Sequence, residues 1–390
     1  MNRPSTTRRR PARRSLRENV VALLSAQCLT WGITAVTMLI ISRYLGPSEL
    51  GKLSLAGTFT GVAGAVASLG LPTLVTRDVS RHGNDSVAVV SAAAVGVLLF
   101  SLLSAVGTVA LALALGYGGT TLALIVIGVA ALPLTVLFGI SAGVIQGLEA
   151  MRYQAVLDVL GKLVGLAIVG AAVGIGLNLI ELTALTTLAA FATGMPMLYL
   201  AWRYIGWKRV PPALVRDVSV RSMPFFVTGI FLLLYVSSDI LMLSLLSGDA
   251  AVGYYSAPFR VFSTLLFIPN IIATAIFPRL AAVYEDTGDH FGGMAAVTLR
   301  VVLIASTPVA LLSFCLFDRF ISTLLGHDFS RSGAVGAIFA ISVIPTGISV
   351  FTSKIALSAN RERAWTVIMG IALASKVGLA LWMIPLFDRQ

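Results

Sequence analysis

The sequence predicts an all-α polytopic membrane protein, two parallel-repeat helical bundles with about 11 transmembrane helices, one short of twelve. Three observations predict it. Hydrophobic residues make up 57% of the chain and charged residues 12%, and mean hydropathy is +0.93, more than a soluble core of 390 residues needs. Apolar runs of about 20 residues, the length that crosses a ~30 Å hydrocarbon layer as helix, recur along the chain while period-2 strand patterns do not. Third, residues 39–79 return about two hundred positions later as 241–281: Leu39, Ser42, Gly46, Gly51, Ser54 and Arg77 meet Leu241, Ser244, Gly248, Gly253, Ser256 and Arg279. A second echo pairs Glu149 with Glu362, and Val164-Gly165-Leu166-Ala167 with Val377-Gly378-Leu379-Ala380.

In chain order, residues 1–19 form a basic tail. Expected spans follow at 20–41, 53–75, 87–115, 121–146, 153–176 and 182–204, which make a six-helix amino-terminal bundle over 20–204. Gly57 and Gly61 have the small-xxx-small spacing that lets helix backbones approach closely, so packing is the expected use of that face, with dimerisation the minor alternative. Residues 205–221, carrying Pro211-Pro212, read as a linker. The carboxyl-terminal bundle, 222–390, holds spans at 224–246, 254–278, 297–316, 335–357 and 364–386, with no match to the sixth span of the first half. Pro133, Pro196, Pro258, Pro269, Pro308 and Pro345 fall within spans, where a missing backbone donor permits a kink. An even number of crossings separates Ser42 from Ser244, so the repeats share one orientation. Duplicated bundles of this kind are the usual architecture of alternating-access transporters.

The net charge of +11 is topological rather than a nucleic-acid footprint. Seven arginines (Arg3, Arg8, Arg9, Arg10, Arg13, Arg14, Arg17) precede the first span, and thirteen more Lys or Arg fall at alternate connections, from Arg77 and Arg81 to Arg361 and Arg363. The opposite connections hold only Arg43, Lys52, Arg319 and Arg331, which makes the amino terminus and the 205–221 linker cytoplasmic and residue 390 external. Arg13-Arg14-Ser15-Leu16 is a poor export signal because the apolar run after it is too long and lacks a small-residue cleavage site. Cys28 and Cys315 lack metal-site or redox spacing, and His82, His290 and His327 are scattered. No metal or cofactor is expected.

The stretch Ser42-Arg43-Tyr44-Leu45-Gly46-Pro47-Ser48-Glu49-Leu50-Gly51, followed by a glycine-rich span and Ser68-Leu69-Gly70-Leu71, resembles the opening of polysaccharide (O-antigen) flippases, members of the multidrug/oligosaccharidyl-lipid/polysaccharide exporter superfamily. Asp239, Val252-Gly253-Tyr254-Tyr255-Ser256-Ala257 and Phe277-Pro278-Arg279-Leu280 look like the corresponding second-half segments. The resemblance implies bundles enclosing a central cavity in the cytoplasmic membrane. It also implies a polyprenyl-diphosphate-linked glycan as cargo, contact with membrane lipids and glycan-synthesis proteins, and no enzymatic step.

Such a cargo needs cationic groups inside the membrane, and ionisable residues there are costly unless they face a cavity or a partner. Arg260, a turn into its span beside Pro258, could offer a bidentate fork to a diphosphate; snorkelling to the outer head groups is the plainer role. Lys162 and Lys376 sit near matching positions of the repeats. Both are candidates to bind the anionic cargo; Asp158, four residues before Lys162, offers that lysine a plainer internal pair, whereas Lys376 lacks an acid three or four positions away and so looks to a ligand or another helix. Asp239 could bind a coupling proton or sodium ion, or pair with Arg260 or a lysine. Alternative activities are flipping of a lipid-linked peptidoglycan precursor, cation-coupled multidrug antiport, which would predict acidic cavity residues, and a membrane-embedded sugar polymerase, which would need larger catalytic loops.

Overall fold

A computed structural model describes residues 16–148, 150–266, 268–270, 272–273, 276, 291–325, 329, 332–359 and 361–387. Arg3 to Arg14, Glu149, the Phe277–Leu280 segment with Arg279, His290, His327, Arg331 and Gln390 lie outside them.

Regular structure among the described residues is entirely helical. It comprises α1 (Leu16–Ser68), α2 (Leu71–His82), a 3-10 turn (Gly83–Ser86), α3 (Val87–Ala114), α4 (Gly119–Ala130), α5 (Leu132–Gly147), α6 (Met151–Ile175), α7 (Leu179–Ile205), α8 (Pro212–Leu265), α9 (Phe291–Leu325), α10 (Ser332–Ser358) and α11 (Glu362–Phe387). Among the described residues, eight helices are long and apolar enough to cross a membrane, and the pair α4 and α5, bent by 44° where Pro133 starts α5, makes up to nine. The eleven runs read from the sequence divide α1 and α8, of 53 and 54 residues, at Gly46 and Gly248, where two helices meet at a non-helical residue. Gly46 has φ 70° and ψ 178°, and Gly248 has φ 81° and ψ 180°. The echo in the sequence is thus an echo in backbone conformation, at a φ that only glycine adopts without strain.

Two expected boundaries differ, the first at Pro212, where α8 begins inside the expected linker 205–221. The run 53–75 is not a single span: Leu69 and Gly70 take positive φ (47° and 70°), and the chain restarts as α2 with Pro72 in its first turn. Leu71, Leu74, Val75 and Val79 of α2 are buried, on the i, i+3, i+4, i+8 spacing of one helix face.

The chain packs as two compact units. The first comprises the described residues of Met1–Ile40 and Ala56–Leu233, the second those of Ile41–Leu55 and Leu234–Gln390. In the first unit, the buried face of α2 joins Ala92, Ala93 and Val97 of α3, Val136, Ile140 and Val144 of α5, and Val215 and Val218 of α8. Helix α5 comes so close to α2 that a Cβ on Gly143 would lie 2.6 Å from the Pro72 carbonyl oxygen. Asn178 opens α7 with a reciprocal cap: its side chain accepts from the Glu181 backbone N–H, and its own N–H donates to Glu181 Oε2, both at 3.0 Å.

In the second unit, Phe262 packs with Ala310 and Val343, and Ala273 with Val302 and Phe351. Its tightest backbone approach joins the two repeats. A Cβ on Gly51 would lie 1.8 Å from the Asp249 carbonyl oxygen, and one on Gly253 would lie 1.9 Å from that of Pro47. Between them Ser54 Oγ donates to Ser256 Oγ at 3.0 Å. Each glycine thus meets the repeat equivalent of the other's partner, the reciprocity of a two-fold contact. Gly57 and Gly61, whose spacing suggested packing, have no described atom within 4 Å of an added Cβ. Close approach falls instead to Gly51 and Gly253, because the contact is made at the ends of the half-helices beyond the glycine breaks.

Candidate functional site

The second unit collects ionisable groups inside apolar helix. Asp239 lies on α8 before its glycine break, and Tyr255 and Arg260 lie beyond it. Lys376 is on α11, within the apolar stretch Ala364–Met383. Lys376 Nζ stands 2.9 Å from Asp239 Oδ2, with side chains 25% and 21% exposed. The same Oδ2 accepts the Tyr255 hydroxyl proton. The Lys376 ammonium also donates to the Tyr235 carbonyl oxygen and lies 4.7 Å from the centre of that ring. This satisfies both ions where an unpaired charge costs several kcal/mol.

Aromatic packing fixes the Tyr255 phenol. Its ring stacks on Phe259 at 5.8 Å and meets Phe339 edge-on at 5.2 Å, and Phe339 in turn packs on Phe262 at 5.1 Å. Arg260, the next turn along, donates to Ser54 Oγ at 3.3 Å, so the arginine hangs from the hydroxyl pair at the two-fold contact. Its side chain is exposed.

Asp239 and Lys376, two of the residues singled out from the sequence, therefore meet each other, and Arg260 stands beside the serine pair of the same unit. Lys162 and Asp158 are in the first unit, one turn apart on α6, both exposed, with no ion pair closing between them among the described residues. Sequence reasoning passed over Tyr235 and Tyr255 as ligands of this site. The signal for Tyr255 lay in the repeat: it adjoins Ser256, and Gly248 breaks the helix between it and Asp239.

The repeats are not alike chemically. On the register that pairs Gly46 with Gly248, Asp239, Tyr255 and Arg260 fall opposite Thr37, Leu53 and Thr58. On the register of the second echo, Lys376 falls opposite Leu163, with Lys162 one residue out, about 100° round the helix. The glycine break recurs in both halves, whereas Asp239, Tyr255 and Arg260 have no ionisable counterpart on that register.

A second cluster lies in the first unit. The Asp78 carboxylate, 6% exposed, accepts from Arg221 at 3.0 Å and Arg77 at 3.4 Å, while Ser86 Oγ donates to the Asp78 carbonyl at 2.9 Å. Arg77 also covers the Phe225 ring at 5.5 Å. These contacts tie α2 to the start of α8, a fastening rather than an open site. Among the described residues, no group of three or more His, Cys, Asp or Glu could hold a metal.

Residues 16–283 match the family described as polysaccharide biosynthesis protein. No curated protein matches the sequence. Among solved structures, the chain is similar to the lipid II flippase MurJ in an inward closed conformation, at 14% identity, 95% of this chain, 86% of that one and a TM-score of 0.71. It is similar also to an inward-facing multidrug resistance MATE family transporter of the MOP superfamily, at 14% identity, 90% and 86% coverage and a TM-score of 0.69. A third is a MOP superfamily transporter from Pyrococcus furiosus Vc1, at 14% identity, 94% and 88% coverage and a TM-score of 0.65. At such identity the likeness is one of fold.

Proposed function

We propose, on the premise that this chain belongs to the polysaccharide biosynthesis protein family, that it is a flippase. Its cargo is a polyprenyl-diphosphate-linked oligosaccharide, moved from the inner to the outer leaflet of the cytoplasmic membrane. One observation supports the choice of cargo: in the second unit Arg260 and Lys376 lie within apolar helices, and Asp239, the carboxylate beside them, is already engaged by Lys376. The physical task is to carry a hydrated, doubly charged head group through a low-dielectric slab. The polyprenyl tail can stay in lipid, so the protein need only offer cations and hydrogen-bond donors to the diphosphate.

No bond is made or broken in this step, and no cofactor is needed; a proton or sodium gradient supplies the direction. The amino terminus is cytoplasmic, as the arginine asymmetry requires. A lipid-linked peptidoglycan precursor shares the diphosphate, and the fold likeness to a lipid II flippase keeps it as the second reading. Cation-coupled drug export fits this cluster less well, because it needs a free carboxylate and Asp239 is held by an ammonium.

The test is reconstitution of the purified chain in liposomes with labelled polyprenyl-diphosphate sugars placed in one leaflet. Movement of a simple lipid-linked oligosaccharide supports the proposal. Exclusive movement of the lipid-linked peptidoglycan precursor selects the second reading, and movement of neither refutes the diphosphate cargo.

A further inference from the structure

Lys376 and Asp239 form an intramembrane ion pair that a third charge can reach. Fully buried pairs are closed to ligands, but here a quarter of the lysine side chain and a fifth of the aspartate remain accessible, at 25% and 21%. The ammonium is anchored apart from the carboxylate, by the Tyr235 carbonyl and the Tyr235 ring face. The carboxylate is likewise anchored apart from the lysine, by the Tyr255 hydroxyl, which the Phe259 and Phe339 rings hold in place. Each ion keeps a partner if the other is taken away. Extra hydrogen bonds also serve a purely structural pair, so it is the remaining exposure of both ions that leaves room for a third charge.

We propose that Asp239 is a displaceable internal counter-ion of Lys376. In the unloaded protein its carboxylate occupies the place that a phosphate of the cargo's diphosphate takes on loading. As the phosphate oxygens bind Lys376, Asp239 stays hydrogen-bonded to Tyr255; when the head group has crossed, the carboxylate returns to the ammonium and displaces it. Asp239 thereby sets how tightly the head group is held and ensures that it leaves. The inference rests on the flippase reading and deepens it.

Two substitutions at this contact then have opposite signs. Asp239→Asn keeps the shape and removes the competing charge, so a diphosphate binds more tightly, by at least about fivefold, the low end of ordinary coupling between sites. Transport per protein falls, because nothing drives release. Tyr255→Phe leaves both charges but removes the support of the carboxylate, which leans harder on the ammonium, so diphosphate binding weakens. Lys376→Met abolishes binding and, combined with Asp239→Asn, erases the difference between Asp and Asn at 239.

The experiment is calorimetric titration of the purified full chain in detergent with farnesyl diphosphate as probe. Inorganic pyrophosphate serves as a competitor that reports the diphosphate alone, and farnesol as one that reports the tail alone. Competition by pyrophosphate, with tighter binding in Asp239→Asn and weaker binding in Tyr255→Phe, bears the proposal out. Unchanged or weaker binding in Asp239→Asn, while Lys376→Met still abolishes it, overturns the proposal and leaves the flippase reading intact. Competition by farnesol alone, or binding indifferent to Lys376→Met, overturns both the proposal and the lysine's role in that reading. If Asp239→Asn does not fold, Tyr255→Phe decides: unchanged or tighter binding there overturns the proposal.

Discussion

Replacing Gly51 by alanine adds a single methyl group at the tightest point of the second unit, and its effect follows from distances. The new Cβ would sit 1.8 Å from the Asp249 carbonyl oxygen and 2.8 Å from its carbon. A comfortable carbon-to-oxygen contact is about 3.3 Å, so the segments must part by about 1.5 Å. Both sides are backbone, so no side chain can swing aside. Overpacking of this kind costs about 3 kcal/mol, of which the better helix propensity of alanine returns about 1. Across 390 residues unfolding together, the net loss of about 2 kcal/mol lowers the thermal midpoint by about 2 °C. Gly253→Ala faces the Pro47 carbonyl oxygen at 1.9 Å and should lose the same amount, since the contact is reciprocal. Gly57→Ala supplies the control: with open space at its Cβ position it should hold or raise the midpoint. Thermal unfolding of the three purified variants in one detergent measures all of this. A Gly51→Ala protein as stable as Gly57→Ala, or a large disparity between Gly51→Ala and Gly253→Ala, would refute the two-fold contact.

If Arg260 grips a diphosphate with its planar fork, Arg260→Lys should lose flippase activity almost as fully as Arg260→Ala, at least about tenfold, in the liposome assay; a fully active Arg260→Lys would return the residue to an interfacial anchor. Asp78→Ala should destabilise by about 2 kcal/mol, less than a fully buried pair because Arg77 and Arg221 are 38% and 42% exposed. Asp217→Ala, removing an exposed carboxylate 3.9 Å from Arg221, should change stability little, and equal losses in both would contradict the central role of Asp78. Single cysteines at Ser5 and Arg216 should be labelled from the cytoplasm and one at Gln390 from outside; protection of Gln390 from outside reagent would mean the crossings are miscounted.

The all-helical class was legible because lipid leaves no other use for apolar runs of that length, and the repeat because Gly46 and Gly248 perform a backbone task no other residue can. The turn at Leu69-Gly70 was hidden by composition: Leu71, Leu74 and Val75 prolong the apolar run, and hydropathy cannot tell a side chain facing lipid from one buried against α3 and α5. Gly57 and Gly61 misled for a related reason, since spacing reports which residues share a face but not whether anything meets it. Within the site, Lys376 was recognisable as a lysine without a local partner. Its partnership with Asp239 stood only as one alternative, Asp239 pairing with Arg260 or a lysine, because the i±4 rule sees one helix and these two meet across helices. Tyr255 is 16 residues from Asp239, with the Gly248 break between, so only the folded chain brings its hydroxyl to that carboxylate.

The unequal repeats bear on stoichiometry. A duplicated chain that kept its charges in both copies would carry two equivalent anion sites and could load two head groups at once. Here threonine and leucine stand in the first half where aspartate, tyrosine, arginine and lysine stand in the second. The Asp239–Lys376 pair therefore has no matched copy in the first half, where Asp158 and Lys162 stand exposed on α6. An anion drawn to that pair would thus meet one site of this make-up per polypeptide, not two.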